Sequence, residues 1–390
     1  MAFSIPAHIA SLQHPLNPVM TARCREVGGI NLGQGFADFP PPEVLIEATA
    51  KAMRDGANQY TAPEGDLGFR KALAAKLARK NNLTADPATE IAVTVGASGA
   101  LGMTLMTLLS RGDGVLFFEP FWDYYRTLLD ILGLEANIVD LIDPQDDAPR
   151  ISEERLAAAL TPATRAILLS SPSNPDGHVL AESEIVTALD FARKHGLLVI
   201  SDEVYEDFVY SGHRHVSAAS LPAASDLPIV TIMSLSKAYS ITGWRVGYCV
   251  ANREIVDRIK LVNGVVNACA PLPFQVGAIA ALQEAESYVQ DIRTRLEASR
   301  LVLCNALCSA GFEARPPMGG FFQLAGIPKG APLRGLAFAL DLLDRIGVAG
   351  IPGEVYFQNG AKGAGFIRFC FAKNETTIEE AVQRLRLLPC

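Results

Sequence analysis

One lysine lies among hydroxyl groups and close to an arginine in residues 234–248. The amine of Lys237 can form a Schiff base with an aldehyde. Ser234, Ser236 and Arg245 offer two hydroxyls and a guanidinium, which are groups that hold a phosphate. This segment predicts a site for a phosphorylated aldehyde, and pyridoxal 5′-phosphate (PLP) is the cofactor that its chemistry suggests. The alternative interpretation is a surface lysine on a turn.

Glycines near these groups predict close approach of the backbone to a ligand. Gly243 and Gly247 flank the arginine and remove the obstacle of a side chain. Residues 96–99 (Gly-Ala-Ser-Gly) lie between a predicted strand and a predicted helix, and there Ala97 and Ser98 offer backbone N–H groups and a hydroxyl to a phosphate. The order of residues fits neither G-x-G-x-x-G nor a P-loop, which disfavours a dinucleotide or a nucleoside triphosphate.

Further polar or aromatic residues follow other apolar runs. Asp202 ends one such run, where its carboxylate could pair with the pyridine nitrogen of PLP or cap the next helix. Tyr205 and Asn174 are candidates for hydrogen bonds to the phenolic oxygen of PLP, although Asn-Pro is also a common turn. Trp122 is a candidate to stack on the ring or to pack in the core. Together, in this order before Lys237, they favour a cofactor site.

Short apolar runs alternate with helical patterns from about residue 90 to residue 250. The predicted strands are residues 91–95, 115–118, 166–169, 197–202 and 229–233. This alternation predicts an α/β fold with a parallel sheet covered by helices on both faces. Ligands bind such sheets at the carboxyl ends of the strands, and the candidate residues fall at those ends.

The pattern changes after residue 250 and predicts a division into domains. A long helical pattern covers residues 283–309, and a last apolar run covers residues 366–371. The first part of the chain is rich in proline and glycine. We therefore expect residues 1–40 to form an amino-terminal arm and part of a small domain, residues 41–285 a large PLP-binding domain, and residues 286–390 the rest of the small domain.

Charge and cysteine content exclude some classes of partner. The net charge of −8 over 390 residues, without a basic patch, disfavours nucleic acid and favours a small-molecule substrate. The seven cysteines form no C-x-x-C pair and no zinc-binding spacing with histidine, so we expect no metal and reduced thiols. No apolar stretch reaches the length of a membrane span and no leader pattern begins the chain, so we expect a cytoplasmic protein.

Several motifs together resemble one family. They are residues 32–36 (LGQGF), 58–60 (NQY), 119–123 (EPFWD), 234–247 (S-x-S-K followed by R-x-G) and 367–373 (IRFCFAK). The chain resembles the class I, fold-type I PLP-dependent aminotransferases, in particular the subgroup with kynurenine/glutamine and methionine aminotransferases. The resemblance implies a mostly parallel central sheet in a large domain plus a smaller α/β domain.

The same resemblance implies the roles of residues outside the lysine segment. Tyr60 would reach the phosphate of the neighbouring subunit's cofactor, so the active unit would be a homodimer with shared sites. Arg368 would clamp the α-carboxylate of the substrate, helped by Asn174 and the backbone at Gly35. An arginine inside the apolar run around residue 368 requires a partner for its charge, and a substrate carboxylate is a suitable one.

The expected activity is transfer of an amino group from an L-amino acid to a 2-oxo acid by a ping-pong mechanism. Lys237 would act as the general base, with Asp202 and Tyr205 supporting catalysis. No arginine occurs from Leu261 through Gln290, where the resemblance would place a cation for a distal carboxylate, so we expect amino acids with uncharged side chains to be preferred.

Other activities remain open at this stage. A cysteine-conjugate carbon–sulfur β-lyase, an aspartate aminotransferase or an N-succinyldiaminopimelate aminotransferase would use the same scaffold. Ser98, where kynurenine-type relatives often carry an aromatic residue, and Pro271-Leu272-Pro273 depart from the family pattern and leave the substrate undecided. A cofactor-binding regulator without catalysis and a dinucleotide-dependent oxidoreductase are the more distant alternatives.

Overall fold

A computed structural model describes residues 3–12, 15–140 and 149–388. In this part of the chain the strands are β1 Ile30–Asn31, β2 Ile91–Val95, β3 Gly114–Phe118, β4 Glu135–Val139, β5 Thr164–Ser170, β6 Leu198–Asp202, β7 Ile229–Ser234, β8 Val246–Val250, β9 Phe322–Gly326, β10 Val348–Ala349, β11 Ile351–Pro352 and β12 Phe366–Cys370. The α-helices are α1 Ala7–Ala10, α2 Leu16–Glu26, α3 Glu43–Arg54, α4 Leu67–Lys76, α5 Gly96–Leu108, α6 Asp123–Leu132, α7 Glu153–Ala159, α8 Glu182–His195, α9 Leu235–Ala238, α10 Arg253–Val266, α11 Leu272–Glu284, α12 Glu286–Ser309, α13 Gly335–Ile346, α14 Gly360–Gly363 and α15 Glu375–Leu385.

The central sheet has seven strands in the order β2-β8-β7-β6-β5-β3-β4. Strand β8 runs antiparallel to both of its neighbours, and the pairs among β7, β6, β5, β3 and β4 are parallel. The five predicted strands all form here, and the prediction of a mostly parallel sheet is confirmed. Parallel strands bring their carboxyl ends to one edge, so β5, β6 and β7 present their last residues side by side.

The strands of this sheet are buried on both faces, which explains their nearly continuous apolar sequences. In β3, for example, Val115 and Phe117 pack on one face and Leu116 packs on the other. The alternation follows from the two-residue period of a strand. Because both faces are covered by apolar side chains, polar ligands have access to the sheet at the strand ends.

Two smaller sheets complete the fold. Strands β11, β12 and β9 form an antiparallel sheet in that order, and β1 pairs in parallel with β10. A cluster of buried residues, which we call the carboxy-terminal core, surrounds them and takes its members from three parts of the chain. They come from Met20–Ala37, from Tyr205–Tyr210 and from Ile292–Leu385.

One prediction of local structure is confirmed with a shifted boundary, and one was wrong. The helical pattern of residues 283–309 is divided, because α11 ends at Glu284 and α12 begins at Glu286. The intervening Ala285 is buried and continues the apolar pattern. Neither a glycine nor a proline marks the boundary between the two helices. Residues 96–99 do not form a loop before a helix; they form the first turn of α5, which follows β2 directly.

The cysteines that the structure describes carry free thiols. They are Cys24, Cys249, Cys269, Cys304, Cys308 and Cys370, and Cys390 lies outside the described part of the chain. No group of histidine, cysteine and acidic side chains suited to a metal ion occurs in the described ranges. Among the helices given above, none combines the length and the apolar character needed to span a bilayer.

Candidate active site

A pocket of about 860 Å³, including its open mouth, lies at the carboxyl edge of the central sheet. Ser170, Asp202 and Ser234, the last residues of β5, β6 and β7, line it. The pocket brings together all of the predicted site residues except one. Those residues are Gly35, Ala97, Ser98, Trp122, Asn174, Asp202, Tyr205, Ser234, Ser236, Lys237, Arg245 and Arg368. The exception is Tyr60, which is 83% exposed and lies outside this pocket.

Lys237 stands at the centre of the pocket on α9, a single helical turn after β7. Its Nζ donates a hydrogen bond of 2.6 Å to the carbonyl oxygen of Gly35 and lies 5.4 Å from the ring centre of Tyr205. Burial of the amine, together with the positive charges of Arg368 and Arg245, lowers the pKa of Lys237 to about 8. A substantial fraction of the amine is therefore neutral near physiological pH, as a nucleophile or general base requires.

Asp202 is buried and receives two hydrogen bonds. The hydroxyl of Tyr125 donates to its Oδ2 at 2.5 Å, and the N–H of Val204 donates to its Oδ1 at 3.3 Å. Burial raises the pKa of Asp202 to about 6, so the group is a carboxylate at neutral pH but lacks a cationic partner within salt-bridge distance in the described chain. The alternative role as a helix cap is wrong, because Asp202 precedes a turn and caps no described helix.

The other end of the pocket is a cluster of hydrogen-bonding groups that are suited to an anion. The Nη2 of Arg245 donates a hydrogen bond of 2.9 Å to the Oγ of Ser98. Ser234 Oγ accepts from the N–H of Ser236 at 3.0 Å and donates to a backbone carbonyl at 3.1 Å. Ser98 also lies in the first turn of α5, where backbone N–H groups have no partners within the helix. Hydroxyls, a guanidinium and helix N–H groups converge here as an anion requires.

Gly247 lies where two backbone segments approach each other closely at this end of the pocket. A Cβ added to Gly247 would lie 2.3 Å from the carbonyl carbon of Gly96, so β8 and α5 can only approach this closely without a side chain there. Gly96 itself has φ +71°, and a Cβ on it would meet Nη2 of Arg245 at 2.2 Å. No atom of the described residues lies within 4 Å of a Cβ added to Gly243, and its role in a close approach to a ligand stays a prediction.

Arg368 lies on β12 and is 2% exposed. Its guanidinium donates to Asn174 Oδ1 and to the carbonyl oxygen of Gly33, both at 2.8 Å, and it packs 4.1 Å from the ring centre of Phe322. The carbonyl oxygen of Gly35 accepts from the lysine, and the expected help of the Gly35 backbone in binding a substrate carboxylate stays a prediction. These partners are neutral, and Nε of Arg368 is buried without a hydrogen-bond partner in the described chain. A buried charge with an unsatisfied donor is suited to bind a carboxylate.

The aromatic residues of the site have two roles. Trp122 lines the pocket and also packs against the buried residues of the sheet face, so its packing role is confirmed and its stacking on a ring stays a prediction. Burial raises the pKa of Tyr205 well above its usual value, which keeps its hydroxyl protonated as a hydrogen-bond donor.

Sequence reasoning missed six residues that line the pocket, namely Asn17, Tyr125, Ser170, Val204, Thr242 and Phe322. The same reasoning could have found Ser170 and Thr242, because Ser170 directly follows a predicted strand and Thr242 lies in the lysine segment. Asn17 and Phe322 carry no local signal, since they reach the pocket from the amino-terminal arm and from β9 through tertiary packing.

Comparisons with known proteins agree with this geometry. A family model described as aminotransferase class I and II matches residues 27–385. An aspartate aminotransferase of Musicola paradisiaca is 35% identical over 362 residues (91% of this chain, 88% of that protein), and the methionine aminotransferase of Escherichia coli is 32% identical over 369 residues (95% and 94%). The solved structure of an N-succinyldiaminopimelate aminotransferase from Mycobacterium tuberculosis aligns with a TM-score of 0.92 at 30% identity, covering 99% of this chain and 100% of that one.

The match of the family model covers most of the chain, and the architecture of the solved relatives extends over nearly all of it. The buried lysine, the carboxylate and the arginine therefore lie in a fold shared with enzymes that transfer amino groups. The chain belongs to the aminotransferase class I and II family and is a fold-type I aminotransferase.

Proposed function

We propose that this aminotransferase uses PLP and that the pocket around Lys237 is its active site. The observation that carries the proposal is a buried lysine with a lowered pKa between two sites for anions. One site is the cluster of Ser98, Ser234, Ser236 and Arg245, and the other is the unsatisfied guanidinium of Arg368. A phosphorylated cofactor fits the first site and an α-carboxylate fits the second.

The residues present fit each part of PLP. The phosphate would be held by the cluster around Arg245, and the pyridine nitrogen by the carboxylate of Asp202, which has no cationic partner within salt-bridge distance in the described residues. Tyr205, as a protonated phenol, and Asn174, whose amide NH₂ is left free when Oδ1 accepts from the arginine, supply donors for the phenolic oxygen. Trp122 supplies an apolar surface for the ring. When bound, PLP supplies an electron-withdrawing ring that stabilises negative charge at the substrate Cα.

The chain itself supplies binding, orientation and proton transfer. Arg368 binds the α-carboxylate and thereby orients the Cα–H bond of the amino acid. The neutral amine of Lys237 removes the Cα proton and holds it for return, because its pKa of about 8 lies close to the operating pH. The 2-oxo acid product leaves before the second 2-oxo acid binds, which gives ping-pong kinetics.

The proposed donors are amino acids with uncharged side chains. The cations that line the pocket in the described residues are Lys237, Arg245 and Arg368, and each already has a role. Arg23 of the arm is exposed and forms ion pairs with Asp344 and Glu26, so it does not serve a distal carboxylate. A second carboxylate would therefore be buried without a counter-charge from this chain, at a cost of several kcal/mol.

A homodimer with shared sites is part of the proposal. It is supported by Tyr60, which is 83% exposed although its ring is large and largely apolar, and by Val265, which is 88% exposed on α10. Exposed residues of this kind are suited to an interface. In the dimer, Tyr60 would reach the phosphate of the neighbouring subunit's cofactor.

The division into a large PLP-binding domain (41–285) and a small domain (1–40 and 286–390) also belongs to the proposal. It is supported by the carboxy-terminal core, which joins residues of the arm such as Met20 to residues of α13 and β12. The same core includes Tyr205–Tyr210 of the proposed large domain, so the two parts share a packed boundary.

The proposal is tested by mixing the PLP-loaded protein with single amino acids and following the visible absorption of the cofactor. Amino acids with uncharged side chains should convert it to the pyridoxamine form, and a 2-oxo acid should restore the first spectrum. Release of pyruvate and ammonia from cysteine conjugates, without need of a 2-oxo acid, would favour the β-lyase instead. A protein that takes up no PLP would contradict the proposal.

A further inference from the structure

The turn that follows β6 carries two residues of the proposed site and two buried acids. Asp202 and Tyr205 line the pocket around Lys237. The side chains of Glu203 and Glu206 are 1% and 8% exposed and bind partners on other segments of the chain. The N–H of Glu206 donates to the carbonyl oxygen of Glu203 at 3.0 Å, which closes the turn. The partners of the two acids therefore also fix the positions of Asp202 and Tyr205.

The end of this turn is anchored by α4 and the residues that follow it. The carboxylate of Glu206 pairs with the ammonium group of Lys76 and accepts a hydrogen bond from the side-chain amide of Asn81. Both partners are buried. This anchor supplies a positive charge for Glu206 and leaves the start of the turn to be held by the partners of Glu203.

Four donors surround the carboxylate of Glu203. The hydroxyls of Ser201 and Ser217 and the N–H of Ala218 donate to its Oε1 at 2.8, 3.1 and 3.1 Å. Nε2 of His215 lies 3.1 Å from its Oε2. Among these four donors, the imidazole is the group that can carry a positive charge. A buried carboxylate is unfavourable without such a partner, so His215 has a larger effect on Glu203 than a neutral donor would have.

The environment of His215 favours its charged form. Burial opposes the charge of the ring, but the hydrogen bond to Glu203 and the negative charge of Glu203 outweigh it and raise the pKa of His215. Glu206 and Lys76 act on the ring in opposite directions, so Glu203 decides its charge. Burial also opposes the charge of Glu203, and the hydrogen bond from His215 is the first of the effects that nevertheless lower the pKa of this acid.

The charge of Glu203 also acts on Asp202, its neighbour in the chain. Burial raises the pKa of Asp202, and the negative charge of Glu203 adds to this effect, whereas the hydrogen bond from Tyr125 opposes it. A positive charge on His215 offsets the charge of Glu203. His215 thus favours the ionised form of Asp202, which is the form that a protonated pyridine nitrogen requires.

From these contacts we infer that His215 is a positioning residue, which acts through Glu203 to hold Asp202 and Tyr205 in the alignment that PLP requires. The inference rests on the proposed function and adds a residue to it that lines a separate surface pocket. Without the imidazole, Glu203 would be a buried carboxylate with neutral partners alone. The turn would then have to shift or the acid would have to take up a proton.

Two amide substitutions of the full chain test the inference. Glutamine places its NH₂ near the position of Nε2 and can donate to Glu203, whereas asparagine places its NH₂ near Nδ1 and cannot reach this acid. His215→Asn should lower kcat by about 10- to 100-fold and leave KM for the amino acid unchanged, because a small displacement affects the chemistry and Arg368 keeps its contacts. The dissociation constant of the apoprotein for PLP should rise by about 3- to 10-fold, the factor that one hydrogen bond contributes.

The longer amide should rescue the function. His215→Gln should recover most of the loss in kcat and in affinity for PLP. Equal losses in the two variants would overturn the inference, and so would a melting temperature that falls in His215→Asn while kcat and the affinity for PLP stay normal. His213→Asn, at an exposed position two residues earlier, is the matched control and should change neither quantity. His215→Leu replaces the asparagine variant if that variant does not fold.

A double-mutant cycle tests the route through Glu203. In a Glu203→Gln background, His215→Asn should lower kcat much less than it does in the wild-type protein, since the contact on which it acts is already changed. The same fold-loss in both backgrounds would overturn the inference.

The outcomes separate this inference from the proposed function. Uptake of PLP and amino transfer by the wild-type protein, with both unchanged in His215→Asn, would overturn the inference alone. A wild-type protein that takes up no PLP would overturn the proposed function and the inference with it.

Discussion

Substitution of Arg368 by lysine tests the carboxylate site most directly. The guanidinium makes two hydrogen bonds of 2.8 Å at once, to Asn174 Oδ1 and to the carbonyl oxygen of Gly33, and its Nε is buried without a partner in the described chain. Lysine keeps the positive charge, but its single ammonium group cannot hold both acceptors and present two parallel donors to a carboxylate. The variant therefore retains the charge and loses the bidentate geometry.

The size of the effect follows from the hydrogen bonds to the carboxylate that lysine cannot make. A hydrogen bond to a charged group contributes about 1.5–3 kcal/mol, so loss of one from the bidentate pair weakens carboxylate binding by about 10- to 150-fold. We expect KM for the amino acid and for the 2-oxo acid to rise by this factor, since both carry an α-carboxylate. The factor should be the same for methionine and for glutamine, because the α-carboxylate is common to all substrates.

The assay is steady-state kinetics with both substrates varied, together with the melting temperature of each variant. Arg126→Lys is the matched control, because Arg126 forms an exposed ion pair with Asp130 in α6 and lies outside the pocket. A KM within a factor of two of the wild-type value for Arg368→Lys would refute the assignment. A loss of activity accompanied by a fall in the melting temperature of Arg368→Lys would indicate a structural role for the arginine.

Four further predictions concern Lys237, Asp202 and the substrate. Lys237→Ala should abolish amino transfer while PLP still binds, because the phosphate cluster remains; turnover without an added amine would exclude this lysine as the base. The lowered pKa of Lys237 means that its charged form destabilises the folded apoprotein, so Lys237→Met should raise the melting temperature at pH 7, and the gain should shrink as pH rises from about 8 toward 10.5. Asp202→Asn should lower kcat greatly without lowering the melting temperature of the apoprotein at pH 7. The raised pKa of Asp202 means that its ionised form is unfavourable in the folded protein at this pH. A normal kcat with a lowered melting temperature would contradict this prediction. Aspartate should give a lower half-reaction kcat/KM than methionine, phenylalanine or glutamine. If aspartate gave the highest kcat/KM of the four, a cation supplied from outside the described pocket would bind its side-chain carboxylate.

The sequence predicted those strands whose apolar local pattern matches their buried position in the fold. Apolar runs at 91–95, 166–169 and 229–233 became strands of the central sheet, because a strand that is buried on both faces needs a continuous apolar sequence. The break at Ala285 was not predictable from the same kind of pattern. The residues on both sides of Ala285 bury apolar side chains. The boundary between α11 and α12 therefore depends on the tertiary packing of the two helices.

Site residues at the ends of strands were predicted. Site residues that reach the pocket through tertiary packing, from parts of the chain distant in sequence, were missed. Asp202 and Ser234 end their strands, and their neighbourhood follows from the parallel topology. Tyr125 was missed although it follows Trp122 by one helical turn, because the bond from its hydroxyl to Asp202 spans 77 residues. Asn17 reaches the pocket only because α2 packs on the carboxy-terminal core, and no spacing rule in the sequence encodes that packing.

The segment around Gly33 and Gly35 has a consequence for how this enzyme can evolve. Its backbone carbonyls receive the hydrogen bonds of Arg368 and Lys237, so two positions without side chains hold the two cations to which we assign substrate binding and proton transfer. A Cβ would lie 2.7 Å from Ile351 at the first glycine and 2.3 Å from Phe322 at the second. A side chain at either position would require Ile351 or Phe322 to move, so selection for new substrates acts more readily on the side chains that line the pocket than on this segment.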